Sequence, residues 1–422
     1  MSAVTKLRPL LNQSVDDQLS PSGPEFELLV ACCTQPLSHG RLDPVLHGEY
    51  DWQTFISLVE HHCVVPHVYR SLAPYMDQVP RRAFATLRSK YQENARSALW
   101  FTSELVRILK HLECQGIRAI PYKGPALAQM LYGDVTARQF SDLDILVRPG
   151  DVPKAKLALA EVGYTPRLKL TASSERACIS SGHEFGFDGV AGPHLLELQW
   201  RIVPRFYSID LDIASLFERA EQIIFGEHEF PTLSADDLLP VLCVHAGKHL
   251  WLQLSWLCDI AELARSPRID WDTVWQRSRR FGIQRIVAVN LLLAHDLLGS
   301  ALPPQIESWL DKDRESGVLK DEVLQIIRCG LPFDTESLAY FRFVLRLRER
   351  WRDQFRFLWR LLWTPSLSEW SALSLPESLS CGYRGIRLFR LAKRFAALAW
   401  ARAAFFLASE RPAANPRSTT FL

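Results

Sequence analysis

The fold is decided by residues 116–147, which read GIRAIPYKGPALAQMLYGDVTARQFSDLDILV. Its first seven residues, 116–122, are partly β-branched and predict a strand that ends at Lys123. Pro125 suits the first turn of the helix that follows, because its fixed φ is already helical. Residues 141–147 then predict a second strand. The stretch is therefore a strand, a turn, a helix and a strand, which is typical of a mixed α/β core.

The second strand carries two carboxylates on one side. Side chains alternate between the faces of a strand, so Asp142 and Asp144 share one face while Leu143, Ile145 and Val147 point to the core. Two neighbouring like charges repel each other. A bound Mg²⁺ would relieve that repulsion, because hard divalent cations prefer carboxylate oxygens. A solvated strand edge is the alternative interpretation of the same pattern.

Two further features strengthen the metal interpretation. Gly124 allows close backbone approach to a phosphate, and the helix N-terminus adds a favourable partial charge beside Lys123. The alternative interpretation of Lys123 is that it is an ordinary surface lysine at the end of a strand. Glu197 lies in an apolar strand, residues 195–200, where a charge needs a partner or a function. If that strand lies beside Asp142 and Asp144, three carboxylates converge, and such a cluster can position two metals for in-line phosphoryl chemistry.

The chain on both sides of this segment has helical periodicity. We expect an α+β protein, in which a small mixed β-sheet core is flanked by N-terminal helices and a larger C-terminal helical domain. The expected division is a flexible arm at 1–24, an N-terminal helical region at 25–112, the α/β core at 113–232, a helical domain at 233–340, and a basic Arg/Trp-rich region at 341–422. Residues 238–263 are expected to form one long helix.

Several motifs together carry a family resemblance. They are Lys123-Gly124, Tyr132-Gly133, Arg138, Asp142 to Val147, Gly163-Tyr164, Glu197 to Trp200, and a later group of His245, His249, Trp251, Trp256 and Asp259. This series resembles the large bacterial family of uncharacterised nucleotidyltransferases, within the DNA polymerase beta-like superfamily. The resemblance covers roughly residues 28–375.

The resemblance implies a metal-bound NTP, with Mg²⁺ or Mn²⁺, and transfer of a nucleotidyl group to an unknown acceptor hydroxyl or phosphate. It implies that Asp142, Asp144 and Glu197 are the metal ligands and catalytic carboxylates. Lys123 and the Gly124 amide are expected to contact the nucleotide phosphates. Arg138 is expected either to contact the substrate or to pair with a structural carboxylate.

Three departures from the superfamily pattern concern the surroundings of the metal pair. Gly124 is followed by Pro125 where Gly-Ser or Gly-Gly is usual, the stretch from there to Asp142 is longer than in the smallest members, and Gln199 stands where related chains more often have His. One expected function is that of an enzyme in surface-glycan or modified-peptide synthesis. A non-catalytic nucleotide-binding or regulatory protein that keeps the fold is the alternative.

His245 and His249 are a second candidate pair, four residues apart on a predicted helix. That spacing can hold zinc, but the residue after the first histidine is Ala246 and not the glutamate of zinc proteases. We therefore expect helix packing from these histidines. Asp259 is expected to be a structural acid that joins helices.

Bulk composition indicates a globular protein. The 422 residues are 48% apolar and 23% charged, and none of the nine cysteines forms a CxxC pair. An odd number of scattered cysteines is typical of reduced thiols in the cytoplasm. The first 20 residues lack the apolar segment of a signal peptide, and no apolar run approaches the roughly 20 residues of a membrane span.

The charge is concentrated at the C-terminal end. Residues 341–422 contain 15 Lys and Arg against 5 Asp and Glu, in a chain whose net charge is +2. Residues 387–407 resemble an amphipathic helix that lies at a membrane surface. This region has three alternative roles, which we give from the most to the least expected. They are a packed basic surface, peripheral contact with the anionic inner face of the membrane, and nucleic-acid binding.

Overall fold

A computed structural model describes residues 23–34, 39–168, 170–190, 192–329, 337–365 and 382–393. The predicted arm at 1–24 lies almost entirely outside these residues, and so does the part of the predicted membrane-surface segment that follows residue 393. Within the described ranges the chain combines many helices with a five-stranded mixed sheet, which confirms the α+β fold class.

The sheet has the strand order β1-β2-β5-β4-β3. Its strands are β1 (Ala119–Pro121), β2 (Leu143–Val147), β3 (Thr165–Pro166), β4 (Glu184–Gly189) and β5 (Gly192–Gln199). Strand β2 runs parallel to β5 and antiparallel to β1, while β4 runs antiparallel to both β5 and β3. The first strand is shorter than the predicted 116–122, because Gly116 turns the chain with a φ of +66°. A separate hairpin pairs β6 (Glu221–Phe225) with β7 (His228–Thr232).

Strand register places the carboxylates of the two parallel strands side by side. Asp144 of β2 is the partner of Glu197 of β5, and Gly186 of β4 lies opposite Glu197 on the other side. The alternate residues of these strands enter one buried cluster: Leu143, Ile145, Val147, Phe185, Phe187, Leu196 and Leu198. The sheet therefore has one apolar face and one face that carries charge.

Helices surround the sheet. The N-terminal group is α1 (Pro24–Cys33), α2 (His39–Leu46), α3 (Trp52–His61), α4 (Val65–Leu72) and the long α5 (Arg81–Cys114). Within the sheet region lie α6 (Gly124–Tyr132), α7 (Val152–Glu161), α8 (Ala172–Ser181) and α9 (Ile213–Glu218). The apolar face of the sheet packs against the C-terminal half of α5 and against α7.

The C-terminal group follows the hairpin. Its members are α10 (Ala235–Lys248), α11 (Leu254–Ala264), α12 (Trp271–Phe281), α13 (Gln284–Leu298), α14 (Pro304–Leu310), α15 (Arg314–Cys329), α16 (Leu338–Arg346), α17 (Trp351–Trp363) and α18, residues 382–393. In the part of the chain that the structure describes, each helix is too short or too polar to cross a bilayer.

The expected single helix over residues 238–263 is wrong. Leu250 and Trp251 have left-handed φ angles of +54° and +53°, which end α10 and reverse the chain before α11. The buried indole of Trp251 stabilises this turn, because its Nε1 donates a hydrogen bond to Asn290 Oδ1 at 2.7 Å.

The helices of both ends share one core. Buried residues of α1, α3 and α4 belong to the same apolar cluster as those of α10, α11 and α13. The charged face of the sheet therefore lies between a sheet core on one side and a continuous helical body on the other. The division into five regions stays a prediction.

Candidate active site

The turn before α6 brings the chain against the start of β2. Gly124 has a φ of +53°, and a Cβ at this position would lie 3.2 Å from the carbonyl oxygen of Asp142. Any other residue would be strained by its backbone angle and would press on Asp142. Gly124, which we expect to let the backbone approach a phosphate, thus also lets the turn lie close to the backbone of Asp142.

Lys123 reaches from this turn into the carboxylates. Its Nζ donates to Asp144 Oδ1 at 2.9 Å, and both side chains are largely buried. Burial opposes a charged ammonium, but the charge of Asp144 and the hydrogen bond to it outweigh that effect and raise the pKa of Lys123. Lys123 is therefore a buried, charged partner of Asp144 and not a surface lysine.

Gln199 joins the carboxylates of the two strands. Its Nε2 donates to Asp144 Oδ1 and to Glu197 Oε2, each at 2.9 Å. The hydroxyl of the fully buried Tyr122 donates to Gln199 Oε1, which fixes the orientation of the amide. An amide at this position supplies hydrogen bonds without a charge, so it holds the two acids together but does not neutralise them.

A fourth carboxylate, Glu184, belongs to the same group and was missed by the sequence interpretation. It is paired with Gln199 across β4 and β5, and Gln199 Nε2 lies 3.4 Å from Glu184 Oε2. His183 Nε2 lies 3.1 Å from the same oxygen. A signal was present, because Glu184 alternates with Phe185 and Phe187, which marks it as facing the opposite side from the core.

The crowded acids shift one another's pKa values. Burial and the neighbouring Asp144 raise the pKa of Asp142 to about 6. Burial, Glu184 and Asp144 raise the pKa of Glu197 to about 8. The cluster thus holds more negative charge than Lys123 offsets, and it would gain from another cation.

The donor chemistry of this cluster suits a hard divalent cation, since aspartate and glutamate oxygens are the preferred ligands of Mg²⁺. Asp142, Asp144 and Glu197 would hold such an ion. Among the described residues, however, no three His, Cys, Asp or Glu side chains are already spaced to hold one ion. Lys123 and Gln199 bind the Asp144 and Glu197 oxygens instead, so these two side chains would have to give up hydrogen bonds.

Arg138 has a structural partner. Its Nε donates to Asp259 Oδ2 at 2.8 Å, and the hydroxyl of Tyr132 donates to the other oxygen, Oδ1, at 3.2 Å. Arg138 is 7% exposed and Asp259 is 1% exposed. This buried pair ties the loop before β2 to α11, as expected for Asp259. A direct contact between Arg138 and a substrate stays a prediction.

The helices α10 and α11 contribute an aromatic group to the same region. The ring of Trp256 lies 5.1 Å from that of His245 and 5.5 Å from that of His249. Burial, together with the charges of Lys248 and Lys123, lowers the pKa of His249 to about 3. Burial, followed by the charge of Lys123, also lowers the pKa of His245, so both imidazoles are neutral and lie within range of the Lys123 charge.

A comparison with protein families matches the part of the chain that contains this site. A family model described as an uncharacterised nucleotidyltransferase matches residues 48–299. The matched range contains all five strands of the sheet, the carboxylate cluster, and the helices α10 and α11. No curated protein matches the chain.

Proposed function

The chain belongs to the uncharacterised nucleotidyltransferase family, whose model it matches over more than half of its length, and we propose that it is a metal-dependent nucleotidyltransferase. The reaction would transfer a nucleotidyl group from an NTP to an acceptor hydroxyl or phosphate. One observation supports this most. Asp144 and Glu197 are neighbours across two parallel strands, beside Asp142 and with Lys123 within hydrogen-bonding distance.

The proposed step is a displacement at the α-phosphorus. An acceptor oxygen forms a bond to that phosphorus, the bond to the bridging oxygen of the β-phosphate breaks, and pyrophosphate leaves. The acceptor's proton must go to a base when the acceptor is a hydroxyl. Glu197 is the candidate base, acting directly or through water, because it is the strand neighbour of Asp144 and a bound cation would favour its charged form.

Other side chains would position the nucleotide. Lys123 would exchange part of its contact with Asp144 for the phosphates and offset their charge. Pro125 has no N–H, and the N–H of Ala126 already donates to the Lys123 carbonyl, which leaves the Gly124 amide as the candidate donor at this turn. A divalent ion held by Asp142, Asp144 and Glu197 would supply charge stabilisation at the transferred phosphate.

We also propose that the nucleobase lies against Trp256 and His249. Aromatic rings stack on every nucleobase, because each base has a π-face. Trp256 is half-buried, so one part of the ring packs on the protein and the other remains accessible. This wall belongs to the helical body, whereas the carboxylates belong to the sheet, so the nucleotide would bridge the two.

Calorimetric titration with ATP, GTP, CTP and UTP tests the proposal. At least one nucleotide should bind more tightly with Mg²⁺ or Mn²⁺ than in EDTA, and the protein should release pyrophosphate from it in the presence of an acceptor. Asp144→Asn should abolish that release, while Asp77→Asn, which changes an exposed aspartate on the surface, should not. Equal affinity in EDTA for all four nucleotides would remove the metal from the proposal.

A second candidate is a nucleotide-binding or regulatory protein without turnover. It is favoured by the hydrogen bonds of Lys123 and Gln199 to Asp144, which occupy an oxygen that an ion would need. Metal-independent nucleotide binding without pyrophosphate release would select this candidate.

We propose membership of the polymerase beta-like superfamily on the carboxylate pair and the turn at Lys123-Gly124. An acceptor from surface-glycan or modified-peptide synthesis would suit a cytoplasmic protein that contacts the inner face of the membrane through its basic C-terminal region. Adding nucleotide to lipid-linked sugars or to peptides in separate assays distinguishes these acceptors.

A further inference from the structure

Helix α17 exposes large apolar side chains that a surface helix normally buries. Trp351 is 72% exposed, Phe355 is 64% exposed and Trp359 is 55% exposed. Leu358, Leu362 and Trp363 continue the same exposed surface toward the end of the helix. The helix nevertheless packs on the protein through a different side, where Phe357 and Leu361 are buried.

The geometry of an α-helix shows that these are two separate faces. With 3.6 residues per turn, the six exposed apolar side chains fall within an arc of roughly 140°. Phe357 and Leu361 lie outside that arc and suffice to attach the helix to the body. Attachment therefore does not account for the exposed arc, which is available to a partner.

Basic side chains border this exposed face. Arg352 and Arg356 lie at its edge and are exposed, and the carboxylate of Asp210 near Arg356 is held by Arg360 at 2.7 and 2.8 Å. The acidic residue of α17, Asp353, is buried and faces Arg348 at 3.6 Å. The next helix, α18, is held to α17 by the bond from Arg387 Nε to the Leu361 carbonyl at 2.7 Å, and its Phe389 is 70% exposed.

We propose that α17 docks on an anionic lipid surface, with its aromatic side chains in the headgroup layer and its arginines on lipid phosphates. Aromatic and basic side chains on one helix face are the combination that interfacial helices use. The inference does not rest on the proposed reaction, because none of these side chains belongs to the carboxylate cluster. It also moves the membrane contact from the predicted residues 387–407 to α17.

Charge favours a lipid surface over a second copy of the chain. A two-fold contact through this face would place Arg352 and Arg356 against the same arginines, with no exposed acid on α17 to pair with them. A convex helix with Leu358 and Leu362 between its aromatics also lacks the groove in which single-stranded nucleic acid stacks.

Vesicle co-sedimentation of the full-length chain tests the proposal, with phosphatidylcholine vesicles that contain or lack phosphatidylglycerol. The protein should sediment with the anionic vesicles at low salt and less at physiological salt. Arg352→Glu with Arg356→Glu should weaken this binding by at least roughly 30-fold. Trp351→Ala with Phe355→Ala should weaken it at both salt concentrations, because salt does not screen apolar insertion.

The matched control for the charge change is Arg81→Glu with Arg82→Glu, two exposed arginines at the start of α5. These two substitutions change the net charge but leave the α17 face intact. The control should therefore bind the anionic vesicles within about twofold of the wild type. Circular dichroism should show equal folding for all variants. Equal losses in the control and the α17 variant would overturn the proposal.

Other outcomes identify a different occupant and also overturn it. Full-length protein that stays in the supernatant at both salt concentrations, while a chain ending at residue 393 sediments, would show that residues 394–422 cover the face. A dimer in size-exclusion chromatography that Trp351→Ala with Phe355→Ala dissociates, without vesicle binding, would identify a second copy. Tighter binding to an oligonucleotide than to vesicles would identify a nucleic-acid surface.

Discussion

Neutralising Glu197 should stabilise the metal-free protein, and only at higher pH. Burial, Glu184 and Asp144 raise the pKa of Glu197 from 4.5 to about 8. Between these values the folded chain holds a proton that the unfolded chain has lost, so the free energy of unfolding falls as the pH rises through this range. Glu197→Gln resembles the protonated acid and can still accept the hydrogen bond from Gln199, so it avoids this loss.

The magnitude follows from the same pKa. The difference between 4.5 and about 8 corresponds to a ceiling of about 5 kcal/mol. Water reaches the half-buried side chain and screens part of the repulsion, so we expect a gain of about 2 kcal/mol in the variant at alkaline pH. Near pH 5 the variant and the wild type should be about equally stable, because Glu197 is then protonated in the folded chain.

Urea unfolding in EDTA measures this difference. The wild type, Glu197→Gln and the control Glu307→Gln, an exposed glutamate on α14, are compared near pH 5 and above pH 8. The control should follow the wild-type curve. A loss of stability in Glu197→Gln that is the same at both pH values would show that Glu197 is a structural hydrogen-bond acceptor and would refute the charge argument.

Three further predictions test the surroundings of the cluster. Gly124→Ala should lower the free energy of unfolding by about 1–2 kcal/mol, measured in urea, because of its positive φ and the contact with Asp142; an unchanged value would mean that the turn adapts without strain. Asp259→Asn should cost about 3–5 kcal/mol in the same assay, since it leaves the buried Arg138 unpaired, and a loss below 1 kcal/mol would contradict that. Trp256→Ala should raise the dissociation constant of the bound nucleotide about tenfold in calorimetry by removing a stacking surface, whereas unchanged affinity would place the base elsewhere.

Local patterns in the sequence predicted the strands and their faces. Alternation in residues 141–147 and 195–200 assigns Asp142, Asp144 and Glu197 to the face opposite the apolar side chains. In the structure Asp144 and Glu197 lie in register on β2 and β5 and alternate with the buried apolar residues, whereas Asp142 lies one residue before β2 begins. The prediction succeeds because the direction of successive side chains in a strand follows from backbone geometry alone.

Element ends were predicted less well, where long-range contacts decide them. The break between α10 and α11 depends on the hydrogen bond between Trp251 and Asn290, which are 39 residues apart. The residues around it are apolar and periodic, so local propensity favours a continuous helix. Asn290, a distant polar partner, stabilises a left-handed turn that no nearby residue predicts.

By itself, then, the sequence determined that Asp144 and Glu197 alternate with core residues, that a glycine turn precedes the aspartates, and that the C-terminal end is basic. Only the tertiary structure decided that β2 and β5 are parallel neighbours in the register that pairs Asp144 with Glu197, and that Glu184 joins them. It also decided that Lys123 and Gln199 bind the acids, and that α17 exposes its aromatics. The physical reason is that strand register and helix exposure are set by packing between segments far apart in the chain, whereas side-chain alternation is set within each segment.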